Sequence, residues 1–196
     1  MKKSIYILFS LLLVIGCKEK KQEIEETQIS DQTLELTKGA ENEWIVLFDG
    51  TSFNHWHEYL SEDVSEAWKI EDGAMVFYPN KDGGDTKAHN LVTDAEFTDF
   101  ELSLEWKIAE AGNSGIFWGV KELPRLPEAY QTGPEIQVLD NAKHPDAKNG
   151  TTHQAGSLYD MIAPTKDVTK PVGAWNTCVI KINHKTNEGS VVLNGE

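Results

Sequence analysis

Basic side chains are scarce. Eighteen Lys and Arg stand against 32 Asp and Glu, a formal charge of −14 over 196 residues. So acidic a chain repels nucleic-acid phosphates and offers no polybasic surface to anionic lipid. Nucleic acid is excluded as a partner; a neutral ligand suits the chain. Cysteine is rarer, with only Cys17 and Cys178, so no disulfide framework exists. Long apolar runs are also missing. Ile5 to Ile15 is apolar apart from Tyr6 and Ser10, too short to span a bilayer as a permanent helix. Three common catalytic or ligand signatures are absent: a phosphate-cradling Gly-rich loop before a helix, a G-x-S-x-G elbow, and a full calcium loop. Asp82-Gly83-Gly84-Asp85 supplies only a fragment of the last. After residue 44 no stretch repeats with the helical period of about 3.6 residues.

What is present begins with a leader. Lys2 and Lys3 precede the apolar run, which ends in Val14-Ile15-Gly16-Cys17. A small residue directly before Cys at the end of such a run is similar to the bacterial lipobox. Residues 1–16 are expected to be a lipoprotein signal peptide, with Cys17 lipidated and residues 17–43 a polar tether. The membrane is then a partner through acyl chains. The domain is placed in the cell envelope, on the periplasmic or cell-surface side.

From Trp44 onward the pattern is β. In Phe100-Glu101-Leu102-Ser103-Leu104-Glu105-Trp106-Lys107-Ile108 apolar and polar residues alternate without a break, the period of a half-buried strand. Asp-Gly and Asn-Gly pairs punctuate the runs, as at Asp72-Gly73, Asn149-Gly150 and Asn194-Gly195. Many such strands with long loops predict an all-β, two-sheet sandwich or jelly roll over residues 44–196. The last run stops just after a hairpin signal, so the expectation is a domain cut short at its C-terminus. Cys178 alternates with Ile180 and Ile182 and reads as a small buried hydrophobe, not a reactive thiol.

One strand carries unexpected polarity. Gly133-Pro134-Glu135-Ile136-Gln137-Val138-Leu139-Asp140 places two carboxylates and an amide among strand formers. Glu135 and Gln137 share a face. Asp140 joins them if Val138 and Leu139 form a bulge. Two nearby carboxylates cannot both ionise freely, so one pKa rises and the pair supplies an acid and a base. The alternative is that Glu135 is a salt-bridged sheet residue and Asp140 caps the turn at Asn141. Two loops bearing His144 and His153 follow. Asp140, His144, Asp146 and His153 form a candidate set for a divalent metal ion; the competing reading is that the histidines hydrogen-bond loop backbone. Trp106 belongs to the core. Trp118 and Tyr130 are candidates to stack on a sugar ring, with packing the competing role.

Seven segments occur in a fixed order: LFDGTSFNHW, FTDFELSLEWKI, GNSGIFWGV, GPEIQVLDN, HPD, HQAGSLYDMIAP and GAWN. As a set they resemble the bacterial 3-keto-disaccharide hydrolase domain family, from about Trp44 to the end. The resemblance implies a jelly roll of concanavalin-A type and a carbohydrate substrate. It implies cleavage of glycosides, those already oxidised to a 3-ketone included, by elimination and hydration. On that chemistry Glu135 or His153 acts as base, and Asp140 or His144 as acid or metal ligand. Gln137, Asn113 and Tyr159 position hydroxyls, with Glu105 beside them and Trp118 stacking. Glu-x-Gln-x-x-Asp is similar in spacing to the Glu-x-Asp-x-x-Glu strand of laminarinase-type glucanases, but Gln137 replaces the central Asp. A carbohydrate-binding lipoprotein of a glycan-uptake system, with no turnover, is the other function these residues suit.

Overall fold

The structure, a computed structural model, describes residues 44–79 and 89–196. The predicted signal peptide, Cys17, the tether before Trp44 and the acidic loop at Asp82–Asp85 lie outside the described residues. Within them the regular structure is antiparallel β-sheet with short 3-10 turns.

Strands β1 (Trp56–Glu58) and β4 (Leu91–Thr93) form one ribbon, and β2 (Trp68–Glu71) and β3 (Ala74–Phe77) another. The second closes through Asp72 and Gly73, with φ of 50° and 74°. Both values are positive, as a type I′ hairpin turn requires. Strands β5 (Phe100–Trp106), β8 (Asn176–Asn183) and β9 (Glu188–Leu193) form a three-stranded sheet with β8 in the middle. Strand β6 (Asn113–Phe117) pairs with β7 (Glu135–Leu139).

The alternation in β5 works as the sequence predicts. Phe100, Leu102, Leu104 and Trp106 turn inward, while Glu101, Ser103 and Glu105 are exposed. Beside them in the same sheet are Cys178 and Ile180 of β8 and Leu193 of β9, and Ile136 and Val138 of β7 join the same buried cluster. One core thus joins the β5–β8–β9 sheet to the β6–β7 pair, which makes the molecule a two-layer sandwich. Cys178 is 2% exposed, and burial pushes its thiol up to about 11, so it is an inert core residue. Asn194 and Gly195, again with positive φ, turn the chain after β9 so that Glu196 and Leu193 exchange backbone hydrogen bonds.

On its free edge β7 takes a further partner. Gly156 N–H donates to Gln137 O at 2.8 Å, Gln137 N–H to Ser157 O at 3.0 Å, and Tyr159 N–H to Glu135 O at 2.9 Å. The loop predicted to carry site residues is therefore stitched alongside the Glu135 strand.

Candidate active site

Register decides what surrounds Glu135. Strands β6 and β7 pair without interruption, from Asn113 opposite Leu139 to Phe117 opposite Glu135. Ile136 and Val138 face the core, so Glu135 points to the other side of the sheet. There its carboxylate lies across Gly115. A Cβ on Gly115 would come 1.9 Å from Glu135 Oε1, so only glycine leaves room. Phe117 flanks the carboxyl directly across the ladder. Among the described residues nothing donates a hydrogen bond to the Glu135 carboxylate. Burial, then the negative charge of Asp146, raises its pKa from 4.5 to about 7.

Asp146 is the second half of this pair. It sits in the 3-10 turn Pro145–Asn149. Its Oδ1 accepts from Asn149 Nδ2 at 2.8 Å and pairs with His153 Nδ1 at 3.1 Å, and its Oδ2 accepts from Tyr159 Oη at 2.9 Å. Burial alone would raise its pKa, but these hydrogen bonds outweigh it and hold the carboxylate below its ordinary value. Asp146 is therefore anionic where Glu135 is half protonated. His153 also contacts Asp160 through Nε2 at 3.3 Å and packs edge-on against Tyr159, ring centres 4.6 Å apart. Burial, then the hydrogen bond to Asp146 and the charges of Asp146, Glu135 and Asp160, push the Tyr159 hydroxyl up to about 12, so it stays a neutral donor.

The structure thus gathers Glu135, Asp146, His153 and Tyr159. It does not bring in Asp140. The bulge expected at Val138–Leu139 is absent, and Asp140 lies five residues beyond Glu135, roughly 16 Å along a strand. Its carboxylate instead accepts the backbone N–H groups of Ala111 (2.8 Å), Ala142 (3.1 Å) and Lys143 (3.3 Å). Those hydrogen bonds, Ala111's above all, hold its pKa low. Asp140 is the turn cap, the alternative reading of the sequence, and not an acid beside Glu135.

His144 likewise serves the backbone, its Nδ1 accepting from Asp146 N–H at 3.2 Å. The four-residue metal set fails for the same reasons: only Asp146 and His153 meet. Among the described residues no group of three or more His, Cys, Asp or Glu side chains is placed to hold a metal ion. Gln137 is 2% exposed, and its Oε1 accepts from Val138 N–H, so it is a sheet residue with no open face for a ligand. Glu105 is exposed on the outer side of the opposite sheet. Trp118 packs against the core. Asn113 is exposed at the far end of β6, opposite Leu139. Tyr130 is 64% exposed in the 3-10 turn Ala129–Gln131.

Sequence reasoning missed Gly115 and Phe117. Their signal was present: Gly115 and Phe117 alternate in β6 as Glu135 and Gln137 do in β7, so a correct register would have placed them beside the carboxyl.

A two-layer antiparallel sandwich with a split carboxyl pair, one member on a strand and the other in the loop packed beside it, is the class that fold and site define. Comparison with known proteins narrows it. The chain belongs to the 3-keto-alpha-glucoside-1,2-lyase-like domain family, whose profile it matches over residues 43–196. It is 40% identical over 164 residues to a 3-keto-disaccharide hydrolase of Bacteroides thetaiotaomicron. That match covers 76% of this chain, and the chain spans 56% of the relative's length. A crystal structure of a candidate glycosyl hydrolase from Parabacteroides distasonis superposes with a TM-score of 0.69 at 29% identity, covering 78% of this chain and 68% of that one. A second from the same organism gives 0.54 at 25% identity, covering 77% and 61%.

Proposed function

We propose that this protein is a hydrolase that cleaves 3-keto-glycosides by elimination followed by hydration, with Glu135 as the proton-transfer group. The observation that carries the reading is the Glu135 carboxyl itself: half-buried, without a donor among the described residues, and titrating at about 7 beside an anionic Asp146. A group poised at the working pH both takes and returns a proton. A 3-ketone acidifies the proton on C2. Ionised Glu135 removes it, the electron pair forms the C1–C2 double bond, and the C1–O bond breaks. The proton now on Glu135 passes to the departing oxygen. Water then adds, hydroxyl to C1 and proton to C2, and the free 3-keto sugar leaves. Tyr159 and His153, both tied to Asp146, fix that anion beside Glu135. Phe117 offers an apolar surface to a sugar face.

The family's lyase-like description and the name of the Bacteroides relative support this chemistry, and so does the sandwich fold. A jelly roll of concanavalin-A type belongs to the same reading. So does an envelope lipoprotein anchored through Cys17, which a Cys17→Ala variant tests by losing its membrane fraction.

The decisive assay is sugar release from a 3-keto-disaccharide in deuterated water. The native protein is expected to release sugar carrying deuterium at C2. Glu135→Gln should slow release at least a hundredfold, the ordinary contribution of a general acid–base group. Unchanged turnover in that variant, or product without deuterium at C2, would overturn the assignment.

A further inference from the structure

Two Asn-Gly pairs stand in the sequence, at Asn149-Gly150 and Asn194-Gly195. The second closes the turn after β9, as its turn chemistry predicts. The first joins no strands. Asn149 ends the 3-10 turn Pro145–Asn149, and Gly150 leads into the 3-10 turn Thr151–His153. The pair therefore lies between Asp146 and His153, in the loop that supplies half of the carboxyl pair.

Asparagine before glycine carries a reaction of its own. The glycine nitrogen attacks Asn Cγ and the Cγ–Nδ2 bond breaks. The amide nitrogen leaves as ammonia, taking the proton of the glycine N–H. Water then opens the five-membered imide at either carbonyl. One opening yields aspartate; the other yields isoaspartate, whose backbone is a methylene longer. Amide and water become acid and ammonia, with no change of oxidation state. Nucleophile and carbonyl belong to adjacent residues, so proximity drives the step. A shielded nitrogen or an immobilised side chain retards it.

Neither restraint is strong at Asn149. Both residues of the pair are exposed. Nothing lies within 4 Å of where a Gly150 side chain would begin. The Gly150 N–H makes no backbone hydrogen bond among the described residues. A single bond holds the Asn149 side chain there, from Nδ2 to Asp146 Oδ1 at 2.8 Å. Asn194 is the opposite case. Its Oδ1 accepts from Thr177 N–H at 3.0 Å, and its Nδ2 donates to Val168 O and Asn176 Oδ1, each at 2.8 Å.

The one bond that Asn149 makes reaches the site. Burial disfavours the Asp146 anion, and the Asn149 amide is the largest of the hydrogen bonds that outweigh it. The same Oδ1 meets His153 Nδ1 at 3.1 Å. Turning that amide into a carboxylate replaces a donor with a second anion against Asp146. Isoaspartate also lengthens the chain between Asp146 and His153. We propose that Asn149 is a modification site, where spontaneous deamidation dismantles the Asp146–His153–Tyr159 anchor beside Glu135. The modification stands on the loop alone; its effect on turnover rests on the reaction proposed above.

The test holds the full native chain in mildly alkaline buffer, below its melting temperature. Samples go to peptide mass spectrometry, to NMR of the histidine rings and to turnover of a 3-keto-disaccharide. The Asn149 peptide should gain the mass of an amide turned to acid about thirtyfold faster than the Asn194 peptide, whose side chain must first break two more hydrogen bonds. The His153 ring signals should shift in step with the mass, and turnover should fall in proportion. Asn149→Gln keeps an amide but can cyclise only through a six-membered imide. It should hold its own starting mass and turnover throughout. The proposal falls if Asn149 gains no mass, or if Asn194 gains it as fast. It also falls if the His153 signals stay fixed while the mass rises, or if Asn149→Gln loses turnover at the native rate. A native chain that turns over no 3-keto substrate would sink the proposed reaction, while the mass gain and the His153 shift would still decide this inference.

Discussion

The unusual property of Glu135 comes from three neighbours with separable effects. Gly115 provides space, Phe117 shields the carboxyl, and Asp146 opposes its ionisation. Burial is the larger cause and Asp146 the smaller. Asp146→Asn should therefore move the pKa of Glu135 only part of the way from about 7 back toward 4.5. If Glu135 is the base, the rate at limiting substrate rises with pH through that midpoint. The variant's profile should keep its shape and shift to lower pH. An unshifted profile would mean that another group controls the rate. Gly115→Ala tests the space itself. Its methyl group takes the place of the carboxylate, so Glu135 must swing toward water. Carbon-13 NMR of the Glu135 carboxyl should then titrate near 4.5, with activity lost together with the shifted pKa.

At the scale of elements, the end of β7 shows how one carboxylate shapes a corner. Asp140 N–H donates to Gly112 O at 3.0 Å, while its side chain accepts from Ala111, whose φ is +53°. A non-glycine residue in that region needs support from its surroundings. Asp140→Ala removes three backbone hydrogen bonds at once. It should cost about 2–3 kcal/mol of stability in urea unfolding. Activity per folded molecule should persist, which a catalytic acid would not allow. This corner also explains what could be read in advance. Alternation predicted β5 and its buried face, because one apolar stripe per strand follows from the pleat. The Asp72-Gly73 hairpin followed from turn chemistry. Glu135 and His153 stood out by residue type. Asp140 looked equivalent to Glu135 because a strand's sequence does not show where the strand ends. Asp146 appeared only among the metal candidates, since its meeting with Tyr159 and His153 depends on a loop that folds back along β7. Cross-strand register, which no single strand encodes, placed Gly115 and Phe117.

Across the whole molecule, ionisable groups pull stability in opposite directions as pH changes. Glu58 is 1% exposed; burial alone would raise its pKa, but the Ser65 hydroxyl and N–H and then His89 bring it down to about 2. Asp140, Asp146 and Glu122 are also held low, Glu122 by His57 and the Leu60 N–H against the effect of burial. Each contributes stability above its unfolded pKa and loses it as pH falls toward the folded value. His57 has the reverse dependence. Its ring joins β1 to Asp94 at 2.7 Å and to Glu122 at 2.9 Å, in the β6–β7 connection. Burial opposes its charge, but the two carboxylates prevail and raise its pKa above 6.5. Its contribution is complete below 6.5 and fades as pH rises through the folded value. Glu135 adds to the alkaline loss. Unfolded, it releases its proton near 4.5; folded, near 7, so between those values the folded state holds the extra proton and stability declines as pH rises. That decline amounts to about 2 kcal/mol after solvent screening is allowed for. The formal charge of −14 adds self-repulsion on the same side. Thermal unfolding is therefore expected to show greatest stability near pH 5, below the neutral range, about one unit above the ordinary carboxylate values. Glu135→Gln should leave the acid limb unchanged and raise the melting temperature above pH 7. His57→Gln should lower it most below pH 6.5, with the difference shrinking as pH rises through the raised pKa of the native imidazole. A stability maximum that stays at pH 8 in the native chain would mean that neither Glu135 nor His57 titrates as its surroundings require.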